Sequence, residues 1–184
     1  MKKITFVLTF LAIIGINAKI CAADSYKYTP YVGAGYSFDR TQAANLRPEY
    51  SSLNVYVGSD YSKYFGTEMF FKQSASRKNG QTPHKLKSSE RAYGLDLLAY
   101  LPLDCEQKFS LLATAGVGEY VFKLKNSGYK HHNEHGYGYR LGGGLKYALD
   151  SHWQTRFIGR YVGFDKVDGI NQAWEYNLSL EYHF

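Results

Sequence analysis

The last ten residues of the chain, "EYNLSLEYHF", alternate without exception between two kinds of side chain. In an extended strand, successive side chains point to opposite faces. One face would carry Tyr176, Leu178, Leu180, Tyr182 and Phe184, and the other would carry Glu175, Asn177, Ser179, Glu181 and His183. The pattern predicts a strand between an apolar and a polar environment, which a soluble sandwich and a membrane barrel both provide.

The first 23 residues have the composition of a secretory signal peptide. Lys2 and Lys3 precede an apolar run from Ile4 to Ile16, and the small residues Ala22 and Ala23 follow. This run is shorter than the roughly 20 residues that a spanning helix needs. We therefore predict export and cleavage after Ala23.

The mature segment, residues 24–184, has the size of one domain. Three lysines leave with the signal peptide, so the formal net charge falls from +6 to +3, and Cys105 remains as the only cysteine. No internal disulfide can form, so the exported chain depends on its own architecture for stability. The whole chain has 18 tyrosines and 18 glycines but only four prolines, which favours strands over helices.

Eight segments of the mature chain alternate in polarity. They are Pro30 to Phe38, Ser52 to Ser59, Tyr64 to Ser74, Arg91 to Leu103, Lys108 to Phe122, Gly136 to Leu149, His152 to Val162, and Ala173 to Phe184. Long and short connections follow these segments in turn, so short turns collect at one end and long loops at the other. Strands of about ten residues joined in this way are typical of an outer-membrane barrel with periplasmic turns and extracellular loops.

Aromatic residues near the strand ends support the membrane interpretation, because such barrels carry an aromatic girdle at each interface. The predicted girdle residues are Tyr36, Phe38, Phe65, Tyr93, Tyr137, Tyr139, Trp153, Tyr161, Tyr182 and Phe184. A soluble lipocalin-like barrel is the structural alternative, and it would turn its apolar face inward around a ligand. We predict an all-β, eight-stranded, antiparallel, up-and-down transmembrane β-barrel.

Several stretches of the chain resemble the OmpA-type and opacity-type family of small eight-stranded bacterial surface proteins. These stretches are "YFGTEMFF", "YGLDLLAYLPL", "TAGVGEY", "GYGYRLGGGLKYALDSHWQTRFIGRYV" and the terminal "LSLEYHF". The resemblance implies an outer-membrane barrel with its N-terminus in the periplasm. It also implies that Leu180, Tyr182 and Phe184 form a C-terminal signal read by the barrel assembly machinery. We carry over no tethering to the cell wall, because the longer OmpA pattern with its peptidoglycan-binding domain is not matched.

The polar face carries charged residues in the middle of the predicted strands. They are Glu68, Lys72, Asp96, Arg140, Lys146, Arg156, Arg160 and Glu181. An eight-stranded barrel is wide enough only for side chains to fill, so these charges should pair with one another. Counting from the turns predicts a balanced layer of Glu68, Lys146, Arg156 and Glu181.

A second layer of Lys72, Asp96, Arg140 and Arg160 would lie above the first, with an excess of cations. The spacing across the last short turn sets Lys146 opposite Arg156. Glycines would leave the space that the long side chains occupy: Gly33, Gly35, Gly116, Gly118, Gly142 and Gly144. We interpret this network as a structural plug, with a narrow ion path as the alternative.

The predicted loops are Asp39 to Glu49, Ala75 to Glu90, Lys123 to His135, and Gly163 to Gln172. Two of them are rich in basic residues, namely Arg77, Lys78, Lys85, Lys87, Lys123, Lys125 and Lys130. An outward cationic rim would attract lipopolysaccharide phosphates or sulfated host glycans through salt-sensitive forces, although charged loops also serve solubility alone. We expect outer-membrane lipid, lipopolysaccharide and a host glycan or protein as partners, no nucleic acid, and a monomer.

Other chemistries have weaker support in the sequence. The triplets "GAG", "GVG" and "GGG" lack the following helix of a nucleotide site, and we predict no cofactor. His131, His132, Glu134 and His135 share a loop without the H-E-x-x-H spacing, so we predict no metal site. Ser151 and His152 lie in a turn without an evident third triad member. The leading hypothesis is a non-enzymatic surface protein that supports the envelope, with a narrow channel and a lipid A-modifying enzyme as alternatives.

Overall fold

A computed structural model describes residues 28–43, 49–75, 77–79, 86–125, 132–165 and 170–184. Nine strands lie in these ranges: β1 (Thr29–Ala43), β2 (Glu49–Asp60), β3 (Phe65–Ser74), β4 (Arg77–Asn79), β5 (Leu86–Pro102), β6 (Phe109–Lys125), β7 (His132–Ala148), β8 (Trp153–Asp165) and β9 (Ile170–His183). The predicted signal peptide lies outside the described residues and stays a prediction.

Eight of the strands form one closed antiparallel barrel, which confirms the predicted fold class. Each long strand pairs with the next along the chain, β1 pairs with β9, and β3 pairs with β5 to complete the ring. Among the described strands, the three-residue β4 pairs with β5 alone and extends the hairpin. Within the described residues, no helix is long and apolar enough to cross a membrane.

The apolar face of the barrel points outward, which excludes the lipocalin-like alternative. In β9, Leu178 is 60% exposed whereas Glu181 is fully buried. The same alternation runs through β3, whose odd-numbered residues are outward and whose even-numbered residues are buried. A barrel that exposes Leu, Val and aromatic rings around its circumference and buries its charges matches a lipid environment rather than water.

Turns at one end of the barrel join strands over residues 61–64, 103–108 and 149–152, and we call this end the turn end. In the last of these turns, Asp150 accepts hydrogen bonds from the backbone N–H groups of His152 at 2.7 Å and Trp153 at 2.8 Å. These two bonds hold the pKa of Asp150 below its ordinary value, the bond from Trp153 contributing most. The opposite end of the barrel is called the loop end.

The strands at the loop end continue well beyond the predicted boundaries, so the predicted loops were too long. Arg77 and Lys78 lie in β4, Lys87 lies in β5, and Lys123 and Lys125 lie in β6. A 17-residue strand is about 58 Å long and rises about 44 Å at a tilt of about 40°, well above an apolar band of about 25 Å. Beyond the lipid the outward face need not be apolar, and the buried residues of β6 there are Tyr120 and Phe122. The alternation with apolar residues outward therefore ends, although backbone pairing continues.

Two residues that bounded predicted loops lie inside the barrel. The two remaining predicted loop cations, Lys85 and Lys130, fall outside the described residues. Asp39 and Glu90, which bounded two predicted loops, lie in β1 and β5 with their side chains buried inside the barrel. The interior therefore extends farther toward the loop end than the sequence indicated.

Candidate functional site

The structure places all eight predicted interior charges inside the barrel with their side chains buried. The register of β7 and β8 sets Lys146 opposite Arg156, which confirms the predicted pairing across the last short turn, and it also sets Gly142 opposite Arg160. Like charges thus face each other on neighbouring strands. Such an arrangement requires carboxylates from elsewhere in the ring, because an unpaired buried charge is expensive.

The cluster nearer the turn end consists of Asp60, Glu68, Lys146, Arg156 and Glu181, and we call it the turn-end cluster. Arg156 bridges two carboxylates, with its Nη2 2.5 Å from Glu68 Oε2 and its Nε 2.8 Å from Glu181 Oε1. The Lys146 Nζ lies 3.1 Å from Asp60 Oδ2 and 3.8 Å from Glu181 Oε2. The predicted lower layer is thus present with one further acid, Asp60.

Tyrosines complete the turn-end cluster. Tyr31 donates a hydrogen bond to Glu68 at 3.1 Å, and Tyr100 donates one to Asp60 at 2.8 Å. The guanidinium of Arg156 lies 4.2 Å from the centre of the Tyr56 ring, a cation–π geometry. Gly33 makes room for that ring, because a Cβ there would come within 2.2 Å of it.

The cluster nearer the loop end consists of Asp39, Lys72, Glu90, Asp96, Arg140, Arg160 and Glu175, and we call it the loop-end cluster. Its centre is the Lys72 Nζ, which lies 3.2 Å from Asp39, 2.8 Å from Glu90 and 3.2 Å from Glu175. These four residues come from four different strands. A single ammonium group therefore ties β1, β3, β5 and β9 together.

Two arginines connect Glu175 with Asp96 in the same cluster. Arg140 lies 3.1 Å from Glu175 and 3.5 Å from Asp96, and Arg160 lies 3.0 Å and 3.4 Å from the same two acids. The Arg140 guanidinium also packs 3.7 Å from the centre of the Phe70 ring. Gly116 leaves space for Asp96, because a Cβ there would come within 2.0 Å of its Oδ1.

The predicted excess of cations in this layer was wrong. Among the described residues of the loop-end cluster, four acids face three bases. Asp39 and Glu90 were missed because they were assigned to loops, and Glu175 was placed on the inward face without being counted into the layer. Both clusters thus bind their cations with a surplus of carboxylates, and their charged groups are engaged with one another.

A second candidate site lies on the outer wall, on β5, β6 and β7 near the loop end. Three successive outward rows run across these strands. The row nearest the membrane centre contains Leu95, Val117 and Tyr139, the next contains Tyr93, Glu119 and Tyr137, and the third contains Arg91, Val121 and His135. An apolar groove of about 520 Å³ separates the first two rows, with Gly94, Gly118 and Gly138 as its floor.

Glu119 is an acidic residue at a lipid-facing position of the alternation. It accepts hydrogen bonds from the Tyr93 hydroxyl and, at 3.0 Å, from Nδ1 of His135. The Glu119 side chain is 24% exposed and that of His135 is 60% exposed. Sequence reasoning missed this pair by assigning His135 to a loop, although an acid between Val117 and Val121 in a lipid-facing row is itself a detectable signal.

Other sequence candidates do not assemble into a site. In the turn, Ser151 Oγ lies 2.8 Å from Nδ1 of His152, the nitrogen that a catalytic acid would occupy, while Asp150 is engaged with the backbone. Within the described part of the chain, no group of three or more metal-ligating side chains is present. His131 and the side chains of His132 and Glu134 lie outside that part.

The C-terminal residues lie on the outer wall at the turn end. Leu180 and Phe184 are exposed, and the Tyr182 ring contacts Trp153 at 5.1 Å and Phe184 at 5.3 Å between ring centroids. These rings form part of the girdle at that end. Their proposed recognition by the assembly machinery remains a prediction.

The closed barrel, its apolar outer wall and its charge-filled interior together define a transmembrane β-barrel. Residues 8–184 match the family model described as "Outer membrane protein beta-barrel domain". The chain therefore belongs to this family of outer-membrane proteins, as the sequence resemblance indicated. Among curated protein sequences, none matches the chain.

Solved structures with the same fold include three bacterial outer-membrane barrels. Neisserial surface protein A (NspA) is 13% identical with a TM-score of 0.71, covering 86% of this chain and 100% of its own. Ail of Yersinia pestis, in complex with the heparin analogue sucrose octasulfate, is 14% identical with a TM-score of 0.64 and the same coverage. OprG of Pseudomonas aeruginosa is 13% identical with a TM-score of 0.59, covering 85% and 95%. These likenesses show the fold alone.

Proposed function

We propose that the protein is a non-enzymatic surface protein of the outer membrane that binds anionic glycans at its extracellular end and supports the envelope. In this family of folds, short turns face the periplasm and the longer connections face outward, so the loop end is the extracellular end. The ligand class is a glycan that carries phosphate or sulfate, either lipopolysaccharide of the same membrane or a sulfated glycan of a host.

The observation that carries this proposal is a set of lysines at paired register positions. Lys78 of β4 is opposite Lys87 of β5, and Lys87 is opposite Lys125 of β6. Like charges at directly opposed positions destabilise a sheet. Three lysines at successive opposed positions of the extracellular end would be stabilised by a polyanion that neutralises their charges.

The packing of charged side chains inside the barrel favours a function on the outside of the barrel over transport through it. Arg156, Glu68 and Glu181 are almost completely buried and bind one another, and Lys72 is held by three carboxylates. Groups held in this way act as a plug in a barrel of this width. The narrow-channel alternative predicts single-channel current that changes when Arg160 or Asp96 is neutralised, whereas the plug predicts lower stability and no current.

A sulfated glycan is a reasonable first probe because the Ail structure contains a heparin analogue. The experiment compares the refolded full chain with the triple variant K78Q/K87Q/K125Q for binding to immobilised heparin and to purified lipopolysaccharide over a range of salt concentrations. We expect the variant to bind about tenfold or more weakly at low ionic strength, with a reduced salt dependence.

The control is K63Q/K108Q, which removes two lysines at the opposite end of the barrel, near the turn end. Heat-modifiable gel mobility verifies that each variant is folded. The proposal is contradicted if both variants bind as the wild type does, or if the two variants lose binding equally. A lipid-modifying activity, the enzymatic alternative, would instead appear as altered lipid A in cells that express the protein.

A further inference from the structure

We propose that the outer wall of β5, β6 and β7 holds one lipid A moiety of lipopolysaccharide, with an acyl chain in the apolar groove and a phosphate at Arg91. This inference deepens the proposed function, because it names a ligand and a site on the barrel wall. The site is distinct from the paired lysines of β4, β5 and β6 farther toward the loop end, so the two proposals can fail separately.

The groove itself has the size and lining of a ligand site. Its volume of about 520 Å³ lies within the range of sites for small organic ligands, and its lower wall is formed by Leu95, Val117 and Tyr139. The floor is backbone, because Gly94, Gly118 and Gly138 occupy inward positions at the same height on three neighbouring strands. The barrel wall here borders the acyl chains of the outer leaflet, so a chain of that leaflet is the natural occupant.

Toward the loop end, the outward rows change from apolar to more polar, in the same direction as a lipid changes from acyl chain to headgroup. Tyr93, Glu119 and Tyr137 lie about 7 Å above the apolar row, at the height of the aromatic girdle. Glu119 and His135 form a hydrogen-bonded pair that can accept hydrogen bonds from hydroxyl groups. A polar pair of this kind in a lipid-facing row fits the junction between acyl chains and headgroup.

Arg91 supplies the cation for the phosphate. It is exposed, and its Nε donates a hydrogen bond to Oε1 of Gln73 at 2.8 Å, which fixes the guanidinium so that its Nη groups can donate to an anion. Arg91 and His135 lie in the same row two strands apart, about 10 Å from each other. That span suits the sugar and phosphate of a glycolipid headgroup better than a single small phosphate.

The test measures lipid retention by the full chain after refolding. The folded protein is mixed in uncharged detergent with diphosphorylated lipid A or with phosphatidylglycerol, and native mass spectrometry counts the lipid molecules retained per barrel. We expect the wild type to retain one lipid A per barrel. R91Q should bind lipid A about tenfold more weakly than the wild type, because a charge-assisted hydrogen bond is lost. V117W, which fills the groove, should lose retention to a similar extent.

The matched control for V117W is L178W, which adds the same ring to an outward position of β9 on another part of the wall. Both variants are first shown to be folded by heat-modifiable mobility. Equal retention by V117W and L178W, or equal retention of phosphatidylglycerol and lipid A, overturns this proposal. Neither result affects the heparin and lipopolysaccharide binding of the paired lysines, which K78Q/K87Q/K125Q tests on its own.

Discussion

The shortest ion pair is made by an arginine in the turn-end cluster and by a lysine in the loop-end cluster. In the turn-end cluster, Arg156 bridges Glu68 and Glu181 with a planar guanidinium that also stacks on Tyr56. In the loop-end cluster, Lys72 presents a compact ammonium to three carboxylates from three other strands. A guanidinium binds carboxylates in fixed directions, whereas an ammonium can gather acids from several directions. Removing Lys72 therefore takes a cation away from three carboxylates, whereas removing Arg156 takes one away from two.

Among the variants considered, K72M should lower the free energy of unfolding the most. Methionine has a similar length but leaves Asp39, Glu90 and Glu175 without their shared cation. Breaking a buried ion pair costs about 3–5 kcal/mol, and we expect the free energy of unfolding to fall by at least this amount. Urea unfolding in lipid vesicles measures it, with K108M at an exposed position as the control. An effect below about 1 kcal/mol would show that Lys72 is not the centre of the cluster.

A smaller effect is expected from E175Q, and a still smaller one from E181Q. Glu175 contacts Lys72, Arg140 and Arg160, whereas Glu181 contacts Arg156, Lys146 and His183. A hydrogen bond to a charged group contributes about 1.5–3 kcal/mol, so we expect E175Q to lower the free energy of unfolding by about 2–3 kcal/mol. A larger loss of stability in E181Q than in E175Q would show that the turn-end cluster depends more strongly on a single carboxylate than the loop-end cluster does.

Replacing the arginine of the turn-end cluster by lysine tests whether its geometry matters. R156K keeps the charge but loses the two-directional bridge to Glu68 and Glu181 and the stacking on Tyr56. We expect a loss of about 1–2 kcal/mol in the free energy of unfolding, from one weakened charged contact and the cation–π interaction. The reverse exchange, K72R, serves as the comparison. Unchanged stability in R156K would mean that charge alone holds this cluster.

The smallest change in the free energy of unfolding is expected in the exposed turn that contains Asp150. Because hydrogen bonds from Trp153 and His152 lower the pKa of Asp150 in the folded state, its carboxylate contributes stability above its unfolded pKa of about 4. That contribution disappears as the pH falls through the folded pKa. We expect D150N to be less stable than the wild type at pH 7 and the difference to vanish at strongly acidic pH. A difference that persists at low pH would assign the loss to another cause.

The sequence alone was sufficient for the part of the barrel that lies within lipid. There the outward face must be apolar and the inward face is not, so residues such as Leu178 and Glu181 reveal the strand and its orientation. The spacing across a short turn also set the register of Lys146 and Arg156. Both are local properties of the chain.

The sequence did not predict the strand ends that extend beyond the lipid, and it did not predict contacts between strands that are distant in sequence. Asp39 and Glu90 lie just beyond the last outward apolar residues of their strands, Phe38 and Tyr93, so the alternation with apolar residues outward did not mark them as inward. The contacts of Lys72 depend on four strands brought together by closure of the ring, and periodicity within one strand carries no information about them. Glu119 and His135 belong to neighbouring strands whose pairing extends beyond the predicted boundary.

Closure of the ring between β1 and β9 has a consequence for how the protein folds. Tyr31 pairs with His183, so the first and last strands join residues about as far apart in sequence as the barrel allows. Contacts of such high sequence separation form late and make folding slow. Their loss requires opening the whole hydrogen-bonded ring, so unfolding should be slow as well. The lifetime of the folded barrel is then set by a kinetic barrier, and refolding and unfolding curves should show hysteresis on laboratory timescales.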